Sequence, residues 1–250
     1  YGITKNSKVC IITAGSQERE GEGVGNWAQR NVTVMKAIIP KLLEYNKEPI
    51  ILVVSSPVDV MSYVAWKVSG LPQNQVIGSG TMLDSARFRF FISQRLGVNP
   101  SSVHGFILGE HGDSSVPIWS GATVGGVRLV DLDDRIGSDA DPENWKDIHT
   151  EVVQSAYKVI KLKGYTCWAV GLCVARIVQA ILGNSHEIFS VSTLIKGCTK
   201  DGEKDVYMSM PCVLGENGVV SIIKERMTEA EQQKLNSSAN ILYQLQNGRK

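Results

Sequence analysis

The sequence predicts an α/β fold, in which a parallel sheet covered by helices gives way to an α+β arrangement after about residue 100. Three observations predict it. Short, fully apolar runs at Val9–Thr13 and Ile50–Val54 alternate with stretches of helical periodicity. Runs without polar alternation suit strands covered on both faces, which implies parallel pairing through right-handed crossovers. The chain of 250 residues is 43% hydrophobic, long and apolar enough to bury a sizeable core.

The elements follow in order. Val9–Thr13 reads as a buried strand ending at Ala14-Gly15, followed by a polar, Gly-rich loop from Ser16 to Gly25. Asn26 to Tyr45 has helical periodicity, with Trp27, Val34, Ile38 and Leu42 on one broad face. Pro40 should kink or split that helix. Ile50–Val54 is a second strand. Ser56-Pro57-Val58-Asp59 reads as a helix start, with Ser56 at the N-cap, Pro57 at the first helical position and an acid in the first turn. Gly70 and Pro72 end that helix. Val76–Gly78 is a third strand, and Asp84 is placed to cap a helix running to Gly97. Ligands of such sheets bind at the carboxyl ends of the strands, so Ser16–Gly25, Ser55–Ser56 and Ser79–Gly80 are the loops of interest.

After about residue 100, Val103–Leu108 and Val116–Leu129 read as strands broken by Gly-rich turns. Glu143–Lys163 fits a long helix, with Ile148, Val152, Ala156, Val159 and Ile160 on its buried side, and Trp168–Leu182 fits a second. Ile188–Ile195, Val206–Val213 and Val219–Ile223 form an antiparallel set. Thr228–Gln246 is a terminal amphipathic helix opened by a capping box, Thr228 with Glu231.

Composition narrows the function. With 26 Lys+Arg against 25 Asp+Glu, no global field gathers nucleic acid or a membrane surface. The most apolar stretch, Ile50–Trp66, is interrupted by Ser55, Ser56, Pro57, Asp59 and Ser62, so no membrane span is expected. Five cysteines, Cys10, Cys167, Cys173, Cys198 and Cys212, form no CxxC pair and read as reduced thiols of a cytosolic protein. The acids Asp131, Asp133 and Asp134 lack metal-ligand spacing and read as a solvated turn.

Two clusters carry groups suited to chemistry. His111 lies in Gly109-Glu110-His111-Gly112-Asp113-Ser114-Ser115, a polar turn after a strand, where a proton-transfer group belongs. Asp84 and Arg87 are i, i+3 at a helix start, so both side chains emerge on one face. An Asp there can hold a histidine in one tautomer, and an Arg can clamp a carboxylate with two parallel bonds. Taken singly, His111 reads more simply as a surface histidine, and Asp84 with Arg87 more simply as a cap beside a local ion pair. Gly21-Glu22-Gly23-Val24-Gly25-Asn26 nearly spells a dinucleotide fingerprint, but the sixth residue is Asn and no acid closes the next strand.

Taken together, these segments resemble the L-lactate dehydrogenase family. The matching strings are Ile11–Gly15, Gln29–Val32, Tyr63–Lys67, Val76–Gly80, Leu83–Phe88, Leu108–Pro117, Ile160–Thr166 and Val191–Thr193, distributed over essentially the whole chain. The resemblance implies a partial Rossmann-type parallel sheet over residues 1–80, the second part of a dinucleotide-binding domain, followed by an α+β substrate domain of the lactate/malate dehydrogenase type over 81–250. It implies NAD as cofactor, pyruvate and lactate as substrates, and a homo-oligomer, dimer or tetramer. His111 is then the proton donor and acceptor for the substrate C2 oxygen. Asp84 orients His111 and raises its pKa, and Arg87 binds the substrate carboxylate. Thr166 lies on the substrate side of the pocket. Val170 packs near the nicotinamide, and Ser56 and Gln17 fall at cofactor-contacting positions.

The sequence also departs from the family. Val24 stands where the family has an Arg that closes over the substrate and polarises the carbonyl. Ser56 replaces an Asn, and Gln17 aligns with a cofactor-contacting Arg. The position that separates lactate enzymes (Gln) from malate enzymes (Arg) is Glu18, which disfavours a second substrate carboxylate. A helix acid of the family is Arg176 here. The family's first βαβ unit, with the glycine fingerprint and the ribose acid, precedes the point where this sequence begins, at Tyr1 and without a Met. The implied consequences are two central strands short of a neighbour, no pyrophosphate site and no amino-terminal arm. Two functions compete on this reading: an NAD-dependent L-lactate dehydrogenase with impaired turnover, and a non-catalytic relative acting as an interaction or regulatory subunit.

Overall fold

The computed structural model describes residues 1–17, 21–197 and 204–248. Glu18 and Cys198 therefore lie outside the described residues. The first half is built from β1 (Val9–Ile12), α1 (Val24–Leu43), β2 (Ile50–Val53), α2 (Val58–Ser69), β3 (Val76–Gly78) and α3 (Met82–Leu96). Five short strands follow: β4 (Val103–His104), β5 (Ile107–Leu108), β6 (Val116–Pro117), β7 (Thr123–Val124) and β8 (Val127–Arg128). Then come α4 (Asp147–Lys163), α5 (Trp168–Leu182), β9 (Ile188–Ile195), β10 (Val206–Gly215), β11 (Gly218–Ile222) and α6 (Glu229–Gln246).

One six-stranded sheet, in the order β1-β2-β3-β9-β10-β11, organises the molecule. β1, β2 and β3 are parallel, with Cys10 opposite Ile51 and Leu52 opposite Ile77. β9 joins β3 antiparallel at Gly78 and Ser192, so the antiparallel set continues the parallel one. The expectation of two central strands short of a neighbour is corrected. Among the described residues β2 and β3 are flanked on both sides, and β1 alone of this trio stands at an edge.

The apolar run of β2 is explained by its two covered faces. Ile51 and Val53 pack with Met35, Ile39 and Met61 of α1 and α2, whereas Ile50 and Leu52 pack with Cys173, Ile177 and Ile181 of α5. Each such fully buried aliphatic side chain contributes about 1.5–3 kcal/mol of transfer free energy. A third cluster, around Phe88, Trp119 and Trp145, fastens α3 and α4 to the short strands. Its ring centroids are 4.8 Å (Phe88–Trp119) and 6.4 Å (Trp119–Trp145) apart, both edge-to-face.

Several sequence expectations are corrected in detail. α1 buries Ala28, Asn31, Met35, Ile39 and Leu42; Trp27, Val34 and Ile38 are only partly covered. The true stripe runs one residue later, because the polar Asn31 is part of it. Pro40 neither splits nor ends α1. It lies in the last turn, so the one i−4 bond it removes is near the helix end and few residues follow it. α2 begins at Val58 with Pro57, not Ser56, at the N-cap, after a cis Ser56–Pro57 bond. Asp84 is the third residue of α3, whose N-cap is Thr81.

The stretch before α4 is not helical. The Asp141 carboxylate takes the N–H groups of Gly137, Glu143 and Trp145, which holds a turn until Asp147. Of the side expected to be buried on α4, only Ile148 and Val152 are, and Ile160 is 47% exposed. Val103–Leu108 and Val116–Leu129 break into two-residue strands. At Gly105 the break has a packing reason, since a Cβ there would meet the Phe88 ring at 3.0 Å. The terminal helix has the capping box: Glu231 N–H donates to Thr228 Oγ1 at 3.2 Å, and Thr228 N–H to Glu231 Oε2 at 2.8 Å.

Candidate active site

The carboxyl ends of the parallel strands open into a cleft of about 980 Å³. Thr13, Ser16 and Gln17 after β1, Ser55 and Ser56 after β2, and Ser79 and Gly80 after β3 line one side. Leu83 and Arg87 of α3, His111, and the α4–α5 corner with Thr166 and Val170 line the rest. All three loops singled out from strand order thus meet here.

The floor is fixed by buried polar groups. Asn31, fully buried, accepts from the Ser16 N–H at 2.7 Å and donates to the Ser56 carbonyl at 2.7 Å, tying the first loop to the second. Ser55 Oγ donates to the Ala14 carbonyl at 2.6 Å. Gly80 has φ +54°, and a Cβ there would lie 2.6 Å from the Ser192 backbone nitrogen, so the close passage of the third loop requires glycine. Neither Asn31 nor Trp27, whose Nε1 donates to the Ser16 carbonyl at 2.7 Å, was legible as a site residue. A polar residue inside an otherwise apolar helical stripe is the one signal that marks Asn31.

Asp84 and His111 come together through α3 and the loop after β5. Asp84 Oδ2 and His111 Nδ1 are 2.5 Å apart, with the carboxylate buried and the ring a third exposed toward the cleft. Nδ1 is thereby committed, which leaves Nε2 for a ligand. The Asp84 charge, offset in part by burial and reinforced by its hydrogen bond and by the charge of Asp59, pushes the His111 pKa up to about 9, while Arg87 opposes the rise. At neutral pH the ring is an imidazolium. Arg87, one turn along α3 from Asp84, is half-buried on the cleft wall, and no carboxylate among the described residues pairs with it. Two cationic groups therefore face one cavity, a setting for an anion that carries both a carboxylate and a second oxygen.

The remaining sequence candidates are spread around these. Thr166 is exposed on the cleft edge and Val170 half-buried in α5. Ser56 is half-buried with its carbonyl taken by Asn31, and Gln17 is exposed with its carbonyl accepting from Arg30 Nη2 at 2.9 Å. Val24 opens α1, is 40% exposed, and carries no group able to donate a hydrogen bond. The near-fingerprint does not form a phosphate cradle. The Glu22 carboxylate pairs with Arg30 at 2.5 Å, and nothing lies within 4 Å of a Cβ built on Gly21, Gly23 or Gly25. Among the described residues no group of three or more His, Cys, Asp or Glu is placed to hold a metal, and no helix is long and apolar enough to cross a membrane.

Comparison with known proteins bears on this geometry. Residues 1–78 match the lactate/malate dehydrogenase NAD-binding domain, and residues 81–248 match the lactate/malate dehydrogenase α/β C-terminal domain. The chain belongs to the lactate/malate dehydrogenase family. It is 52% identical over 246 residues to the L-lactate dehydrogenase B chain of Gallus gallus and, at the same identity and length, to the L-lactate dehydrogenase A chain of Danio rerio. Each match covers 98% of this chain and 74% of the relative.

NAD is the cofactor of this dehydrogenase family, and the cleft fits its nicotinamide end. Val54, Val170 and Val174 offer apolar walls for a flat ring, with Ser56 and Gln17 as polar groups beside them. Among the described residues no glycine-fingerprint turn is present to hold the pyrophosphate.

Proposed function

We propose that this cleft interconverts pyruvate and L-lactate with NAD(H). The observation that carries the reading is the joint placement of Asp84, His111 and Arg87 at the carboxyl end of the parallel strands. Arg87 binds the substrate carboxylate through two parallel N–H···O bonds and sets which face of C2 is presented. In the reducing direction, protonated His111 gives its Nε2 proton to the C2 oxygen as that oxygen gains negative charge. In the oxidising direction, neutral His111 takes the hydroxyl proton. Asp84 stabilises the imidazolium and fixes the ring. Thr166 borders the substrate, and Val170, Ser56 and Gln17 border the nicotinamide end. NAD, when bound, supplies or accepts the hydride. Residues 1–80 serve the cofactor and 81–250 the substrate. The protein acts on this reading as a cytoplasmic homo-oligomer, with the exposed apolar side chains Leu162, Trp168 and Leu172 in support of subunit contact.

Val24 weakens this machinery. A preorganised positive charge at the reacting oxygen is worth about 3–4 kcal/mol of barrier, and a valine supplies none of it. Val24→Arg is therefore expected to raise pyruvate-dependent NADH oxidation at least about tenfold. The assay itself tests the function: a chain that oxidises no NADH with pyruvate, with or without Val24→Arg, is not a dehydrogenase. Val24 also favours the second reading, a non-catalytic subunit that binds the small acid through Arg87 without turning it over. With Glu18 at the specificity position, a dicarboxylate is a poorer substrate than pyruvate.

A further inference from the structure

Three successive backbone N–H groups fix the loop that carries His111, and each goes to a different element. Gly109 N–H donates to the Ser209 carbonyl of β10 at 3.0 Å, Glu110 N–H to Ser238 Oγ of α6 at 3.0 Å, and His111 N–H to Asp59 Oδ2 of α2 at 2.9 Å. The first two acceptors are neutral and the third is a carboxylate. Asp59 is 2% exposed, and its other oxygen, Oδ1, accepts from Ser192 Oγ at 2.6 Å. Ser192 is fully buried in β9 opposite both Gly78 and Ser209, so the clamp is anchored in the middle of the sheet.

A buried carboxylate is a costly way to accept one N–H, because a neutral amide or hydroxyl would do so without the desolvation penalty. The charge explains the choice. The Asp59 pKa is raised to about 6: burial pushes it up, the bonds from Ser192 and the His111 N–H, with the His111 charge, offset part of that rise, and Glu110 adds to it. The charged groups facing Asp59 are thus His111 and Glu110, and those facing His111 are Asp84, Asp59 and Arg87. From β9 and α6, Asp59 meets neutral partners: Ser192, and Gln246, whose Nε2 reaches the Asp59 carbonyl at 3.5 Å.

We propose that Asp59 is a positioning residue for His111, clamping the backbone behind the imidazole and setting a second negative charge beside it, so that two carboxylates on two helices hold the proton-carrying ring. The inference rests on His111 being the proton carrier, but its test requires no turnover. The His111 ring is titrated by ¹H–¹⁵N correlation in the native chain, in Asp59→Asn and in Ser238→Ala, which loosens the neighbouring amide without altering charge. The expected result is a His111 midpoint lower by about half a pH unit or more in Asp59→Asn and unmoved in Ser238→Ala. An unmoved midpoint in Asp59→Asn, or an equal fall in both variants, overturns the proposal.

Should Asp59→Asn not fold, Ser192→Ala decides. The His111 amide proton shift then follows Asp59 ionisation, inflecting near pH 6 in the native chain and at higher pH in the variant. Absence of that inflection overturns the proposal. A His111 shift in a chain without dehydrogenase activity supports Asp59 and defeats only the catalytic reading. Turnover with an unmoved His111 does the reverse.

Discussion

Replacing His111 by Asn is expected to lower pyruvate-dependent NADH oxidation by about 10²–10⁴-fold, because the amide can neither give nor take the C2 oxygen's proton. Asp84→Asn is expected to approach that loss while leaving the proton-carrying atom in place, since the ring then lacks both its orienting partner and the charge that favours the imidazolium. The pH dependence separates the two variants. The His111 pKa is raised from 6.5 to about 9, so pyruvate reduction, which needs the protonated ring, is sustained up to about pH 9 and falls above it. Lactate oxidation needs the neutral ring and rises over the same range. In Asp84→Asn both midpoints move down toward the ordinary histidine value. Steady-state kcat/KM profiles in both directions check the sign, and an unchanged midpoint in Asp84→Asn would falsify the assignment of Asp84 as the source of the shift.

Arg87→Leu is expected to reduce kcat/KM for pyruvate by about 10²–10³-fold, through the loss of two charge-assisted bonds and of the orientation they impose. The effect is larger than a surface cation would give, because Arg87 is half-buried on the cleft wall and no carboxylate among the described residues pairs with it. Arg87→Lys keeps the charge and loses the planar fork, so it recovers only part of the activity. If Arg87→Leu leaves KM and kcat near their native values, the carboxylate is held elsewhere and the orientation of substrate proposed above is wrong.

Much of this was legible because it is local. Apolar runs marked β1 and β2, Thr228 with Glu231 marked the start of α6, and the i, i+3 spacing placed Asp84 and Arg87 on one face of α3. The errors arise where distant residues decide. The buried stripe of α1 includes Asn31, which earns its place only by bonding two loops, at Ser16 and Ser56, that are brought together by the parallel strands. The start of α4 is delayed by an Asp141 carboxylate that competes for backbone N–H groups. Asp59 read as an ordinary first-turn acid of α2, because its partners, His111 and Ser192, are 52 and 133 residues away. Local pattern finds the groups that face the cleft. The groups that stand behind them are found only from the packed sheet.

On the proposed function, a hydride passes to C2 while His111 carries the proton of the C2 oxygen. The most direct measurement follows the label from NADH deuterated on the transferred C4 position, using the chain with pyruvate and reading the isotope in the product. L-lactate with deuterium at C2 is predicted, formed even at low turnover, and formed about 10²–10⁴-fold more slowly by His111→Asn. Product without deuterium at C2, a racemic product, or an equal rate of labelled product in His111→Asn would contradict it.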